Sequence, residues 1–216
     1  MNEKPTIEKI QKILEGDGSE VREQLLLAAL LLTIFERFKL YIVDQVDGYF
    51  STHTTIKDGN LSYERGQEFK KLINEKGEGQ PGQHGNRAFR AALHWFRDLG
   101  AISSEEFDDV ERIYTLRNDI GHELYLILAD DRAAPIHWFD AVLVFAVYLK
   151  ITRWWVKEVE IATDPDMTPE KYDQIEFEST ETMETMLLRE IMMQGLKGNQ
   201  QFEEVMNHLK DLHPNA

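Results

Sequence analysis

The chain has 216 residues, 42% of them hydrophobic, enough to bury one good-sized core with an extension beside it. Its formal net charge of −15 argues against passive nucleic-acid binding through a basic surface, because such affinity comes chiefly from Lys and Arg neutralising phosphates. It contains no Cys, which excludes disulfides, zinc–thiolate sites and a thiol nucleophile.

Taken in order, residues 4–14 predict a short helix ended by Gly16-Asp17-Gly18, and Ser19 is the predicted N-cap of a long helix running to about Phe50. Leu31, Phe35, Phe38, Ile42, Val46 and Tyr49 form its apolar seam. Its most apolar run, Leu25 to Phe35, is bounded by Glu23 and Glu36 and is too short to span a bilayer. No charged n-region followed by a cleavable apolar segment opens the chain, so a cytoplasmic location without membrane contact is expected. Residues 51–85 are rich in Ser, Thr and Gly, with a short helix predicted from Ser62 to Asn74. The string from Gly77 to Gly85 lacks the Gly-Lys-Ser/Thr ending of a phosphate-cradling loop and reads as a connection.

A helix from about Asn86 to Leu99 follows. Arg87, Arg90, His94 and Arg97 step by three, four and three along one face, opposite Phe89, Leu93 and Phe96, and no acid occurs from His84 to Arg97. This basic face has two readings: an RNA-binding stripe, or a solvated face that pairs with the abundant Asp and Glu elsewhere. Ser103 and Glu106 then form a capping-box pattern. Phe107, Val110, Ile113, Leu116, Ile120, Leu124 and Ile127 mark one amphipathic helix behind it.

Inside that helix lies the segment Arg117-Asn118-Asp119-Ile120-Gly121-His122. Arginine is a permanent cation whose planar fork matches phosphate oxygens, and histidine is the side chain that titrates near neutrality, so the pair suffices for metal-free cleavage of a phosphodiester. On an unbroken helix the two point roughly 140° apart. Either Arg117 uses its long stem, or the helix loosens at Gly121, a residue that costs about 1 kcal/mol relative to Ala in a helix interior. Asp119 and Glu123 are expected to face solvent or to raise the pKa of His122 by their charge.

A further helix from about Pro135 to Val159 is apolar on most sides, as a buried helix or a dimer interface would be. Beyond it, Glu158 to Glu190 holds eleven acids against Lys171 and Arg189, a net charge of −9. Asp164-Pro165-Asp166 marks a boundary there, giving two predicted domains, 1–163 and 164–216. Met183, Met186, Leu187, Met192 and Met193 recur at roughly helical spacing in the second. This C-terminal extension reads as a solvated helical appendage packed on the core, or as a Met-rich face for a partner or a second copy. His53, His137, His208 and His213 show no metal-binding spacing, so no metal and no cofactor is expected.

The Arg117, Asn118 and His122 pattern resembles the HEPN superfamily, small all-helical domains of prokaryotic ribonuclease toxins, abortive-infection proteins and RNA-targeting effectors. Its nucleases carry an Arg, four to six residues, then a His, with a polar residue commonly after the Arg. The position of the motif, past a long first helix and before another apolar one, also agrees. The resemblance implies an all-α helical bundle of HEPN type and a metal-independent endoribonuclease, acting as a toxin or phage-defence effector. Arg117, Asn118 and His122 would be catalytic, and Glu36 on the first long helix would either orient Arg117 or simply meet Lys39 or Arg37 at the surface. It further implies a homodimer whose motif helices face each other across an RNA cleft, with an antitoxin or regulatory protein as a possible partner. Where the subgroup paired with nucleotidyltransferase antitoxins carries a modified Tyr two residues after the His, this chain has Leu124, and Tyr125 follows one later. Two other readings stand beside this one: a catalytically inactive HEPN-like module that binds a protein partner, and an unrelated helical protein.

Overall fold

The computed structural model describes residues 15–51, 54–57, 60–63, 66–78, 87–129 and 135–197, together with Gln11 and Ile13. The predicted helix over 4–14 falls almost wholly outside them, as does most of the Gly77 to Gly85 string. The described chain is all-α, with one two-stranded hairpin. Its elements are α1 (Ser19–Phe50), β1 (Thr54–Lys57), β2 (Asn60–Tyr63), α2 (Gln67–Lys76), α3 (Arg87–Asp98), α4 (Ser104–Ala129), α5 (Trp138–Trp155) continuing as a π-helical turn (Val156–Ile161), α6 (Pro169–Tyr172), a 3-10 turn (Phe177–Ser179) and α7 (Met183–Leu196). No described helix is long and apolar enough to cross a membrane.

The chain forms two compact units, one from Met1–Phe35 and Asp109–Ala216, the other from Glu36–Asp108. The acidic segment beyond residue 163 falls in the same unit as Met1–Phe35 and most of the helix that carries the Arg–His motif.

In the first unit, α1 begins one residue away from the predicted cap. The carbonyl of Gly18, at φ 73°, accepts the first helical bond from Arg22, and the Asp17 carboxylate accepts the Ser19 N–H at 2.9 Å. Hydrogen bonds from Ser19, its hydroxyl first, hold the Asp17 carboxyl below the usual carboxylate range. The Gln24 amide pairs with the backbone of Ile136 in both directions, donating to its carbonyl at 3.2 Å and accepting from its N–H at 2.8 Å, which ties α1 to the approach of α5. Phe35 stacks on Tyr114 of α4, and Arg112 of α4 reaches the buried Asp140 of α5 at 2.9 Å. The core is Leu27, Leu31 and Ile34 with Ile113, Ile120, Phe145, Tyr148 and Ile151.

The acidic segment is stitched to this core. Thr182 and Thr185 form a reciprocal capping box at the start of α7, which buries Leu188, Met192 and Leu196. A Cβ at Gly195 would stand 3.4 Å from Leu30, so the small residue lets α7 approach α1 closely. Arg153 donates to the Thr180 carbonyl at 3.1 Å and Arg189 to Glu181 at 2.9 Å. The opposite face of α7, with Met183, Met186, Leu187 and Ile191, is exposed. The Met-bearing helix thus serves the core with one face and leaves an apolar stripe on the other.

The second unit corrects the sequence reading at Ser62. Asn60–Tyr63 is a strand paired antiparallel with Thr54–Lys57, and the helix starts only at Gln67. Lys57 is registered opposite Asn60. After the hairpin, a Cβ at Gly66 would fall 2.0 Å from the Phe50 carbonyl, so only glycine fits beside the end of α1. Phe50, Phe69, Trp95 and Phe96 build an aromatic cluster, and Phe38 meets Phe89 edge to face. Lys76 pairs with Asp98 between α2 and α3.

Because Met192 has no exposed surface, Met192→Ala is expected to cost about 2–5 kcal/mol, read as a lower midpoint in urea unfolding. Truncation after Thr163 strips the cover from Leu26 and Leu30 and is expected to give a chain that loses its cooperative transition. A truncated protein with unaltered unfolding would contradict this packing.

Candidate functional site

The capping box that opens α4 forms as its sequence spacing predicts: Ser103 N–H donates to Glu106 at 2.7 Å, and Glu106 N–H to the Ser103 hydroxyl at 3.1 Å. From there Val110, Ile113, Ile120 and Ile127 are buried, which fixes the rotation of the helix about its axis. Relative to Ile120, Arg117 lies roughly 60° away and His122 roughly 200° away. Accordingly Arg117 and Asn118 are half-buried while His122 is exposed.

The Arg117 guanidinium makes a contact within its own segment. Nη1 donates to Asn118 Oδ1 at 3.0 Å and lies 4.0 Å from the point where a Cβ on Gly121 would stand. It therefore runs along the helix toward the His122 end. The expected loosening occurs two residues later than Gly121, at Glu123, whose φ of −131° and ψ of 21° leave the helical region immediately after His122. Asp119 is held above the usual carboxylate range, first by partial burial and then by the Glu123 charge, with His122 acting in the opposite direction. Asp119, His122 and Glu123 thus form one electrostatic group on the exposed side of the helix.

The basic face of α3 is arranged differently from an RNA-binding stripe. Arg90 is only 2% exposed, so its guanidinium lies in the interior and does not face a ligand in solvent. Arg97 stands over the Phe107 ring at 4.6 Å and pairs with Asp98 at 3.1 Å. Arg87 is exposed, 3.6 Å from Glu78. His94 packs on Phe107 with 4.5 Å between ring centroids, and its buried Nδ1 has no hydrogen-bond partner among the described residues. The four side chains share one face of α3, and on that face the structure buries Arg90. Glu36 pairs with Lys39, one turn along α1.

No cluster of three or more His, Asp or Glu placed to hold a metal occurs among the described residues. A cavity of about 140 Å³ opens beside Asp17, Gly18, Ser19 and Gln24, against Ile127, Leu128 and Pro135. It adjoins α4 beyond the Glu123 break and does not include the motif residues. No sequence signal marked it. Comparison with protein-family models, with characterised proteins and with solved structures returns no match.

His94 titrates below the usual imidazole range, chiefly through burial, then through Arg97, with Lys76 and Arg90 adding and Asp98 opposing. A depressed histidine pKa means that the unfolded chain binds the proton more readily. The stability is fully present above the unfolded pKa of about 6.5 and is lost as pH falls from there through the folded pKa. The thermal midpoint is expected to drop between about pH 7 and pH 5, and His94→Phe should flatten that slope. Equal slopes for the two proteins would refute the assignment.

Proposed function

We propose that the chain is a metal-independent endoribonuclease of HEPN type, a toxin or phage-defence effector that works as a homodimer. The observation that carries this reading is the Arg117 guanidinium, tethered by Asn118 and directed along α4 toward an exposed His122 at a break in the helix. RNA carries its own nucleophile. His122 removes the proton of a ribose 2′-hydroxyl, the 2′-oxygen forms a bond to the adjacent phosphorus, and the bond from phosphorus to the 5′-oxygen breaks. The products are a 2′,3′-cyclic phosphate and a 5′-hydroxyl end, the leaving oxygen taking its proton from the imidazolium of the second copy's motif or from water. Arg117 holds the phosphate and stabilises the charge that develops on its oxygens. Asn118 orients Arg117.

A second reading, an inactive helical module for a protein partner, is favoured by the apolar stripe on α7, where Met183 is 81% and Leu187 60% exposed. The two readings separate in one experiment. Purified protein is expected to cleave single-stranded RNA in EDTA, to leave DNA of the same sequence intact, and to yield cyclic-phosphate ends. Arg117→Ala and His122→Ala are each expected to lower the rate by at least about 100-fold with unaltered circular dichroism. Cleavage that needs added divalent metal, or variants as active as the parent, would reject the nuclease reading.

A further inference from the structure

We propose that Gly121 is a positioning residue for Arg117: its missing side chain leaves open the lane along α4 that the guanidinium occupies. The inference rests on the nuclease reading for its catalytic consequence, and on geometry alone for the rest. Of the glycines inside helices, Gly48 in α1 has nothing within 4 Å of an added Cβ, whereas Gly121 has one side-chain atom there. A positive φ explains Gly18 and Gly100, but Gly121 has none. Close approach to backbone explains Gly66 and Gly77, and close approach to the Leu30 side chain explains Gly195. At Gly121 the one atom within 4 Å of an added Cβ is Arg117 Nη1, at 4.0 Å. Residues i and i+4 share a helix face, so a side chain at 121 would compete with Arg117 for that surface. The same nitrogen donates to Asn118 Oδ1 at 3.0 Å. With position 121 filled, Arg117 is turned away from the His122 end of the motif. The helix gives up propensity at this position to keep the lane clear.

Two substitutions separate this from a merely structural glycine. Gly121→Ala adds only a methyl at ordinary contact distance and is the conservative variant. Gly121→Val adds two more carbons on a side chain with one strongly preferred helical rotamer, and valine has a higher helix propensity than glycine, so the helix itself is not weakened. The first readout is nitrogen-15 relaxation of the Arg117 Nε–H group in the full chain without RNA. The second is kcat and KM for metal-free RNA cleavage. Arg117 is expected to stay ordered, and cleavage to persist, in Gly121→Ala. In Gly121→Val the Arg117 signal is expected to become mobile and kcat to fall by about 100-fold, with a smaller change in KM. Gly121→Leu, a stronger helix former, repeats the comparison should the valine protein show reduced helicity. An ordered Arg117 in the valine or leucine protein overturns the proposal, and so does unaltered kcat with a mobile Arg117. If the parent protein cleaves no RNA in EDTA, the nuclease reading fails, and the relaxation data still decide whether Gly121 positions Arg117.

Discussion

The burial of Ile120 governs everything that the motif can do. A helix in water is free to turn about its axis, and what stops it is the free energy of removing one apolar stripe from solvent, about 25 cal/mol for each Å² covered. With Val110, Ile113, Ile120 and Ile127 inside, the phase of α4 is set. His122 is then exposed because it lies on the far side of the same cylinder, and Arg117 is half-buried because it sits at the shoulder. The directions in which Arg117 and His122 point follow from core packing, and a change in the stripe would re-aim both side chains without touching either.

Charge imposes the second constraint. Residues 36–108 hold twelve acids against ten Lys and Arg, a net −2, so −13 of the total −15 belongs to the unit that carries the Arg–His motif. Long-range attraction of a polyanion by that unit is not available, and distant acids repel it weakly, since fields fade over about 8 Å at physiological ionic strength. What remains is contact electrostatics. Asp119 and Glu123 beside His122 make even this neighbourhood mixed in sign.

The legible part of the sequence was the part written in short-range chemistry. The ends of α1, the Ser103–Glu106 box and the α4 stripe follow from caps and from a 3.6-residue period, which depend on neighbours a few positions away. The hairpin at Thr54–Tyr63 is hidden in the sequence because its Ser, Thr and Gly content also suits a loop. The burial of Arg90 is hidden for a deeper reason: periodicity marks two faces of α3, yet which groups the interior can satisfy is decided by residues far away in sequence. The break at Glu123 has the same origin, since nothing at that residue forbids a helix. The merging of the acidic segment with the first unit depends on α7 meeting Leu26 and Leu30, a contact between positions more than 150 apart that composition cannot encode.

The π-helical turn at Val156–Ile161 follows directly on the buried end of α5, where Ile151, Thr152 and Trp155 are inside. A π turn is an α-helix holding one surplus residue. In an α-helix every residue added or lost rotates whatever comes next by roughly 100°, so a buried helix tolerates no change in length. The surplus residue acts here as slack in the thread: a deletion within 156–161 relaxes the turn to plain α-helix and leaves the phase of α5 upstream untouched. The junction between the core helix and the acidic segment is thus the place where this chain has room to vary in length.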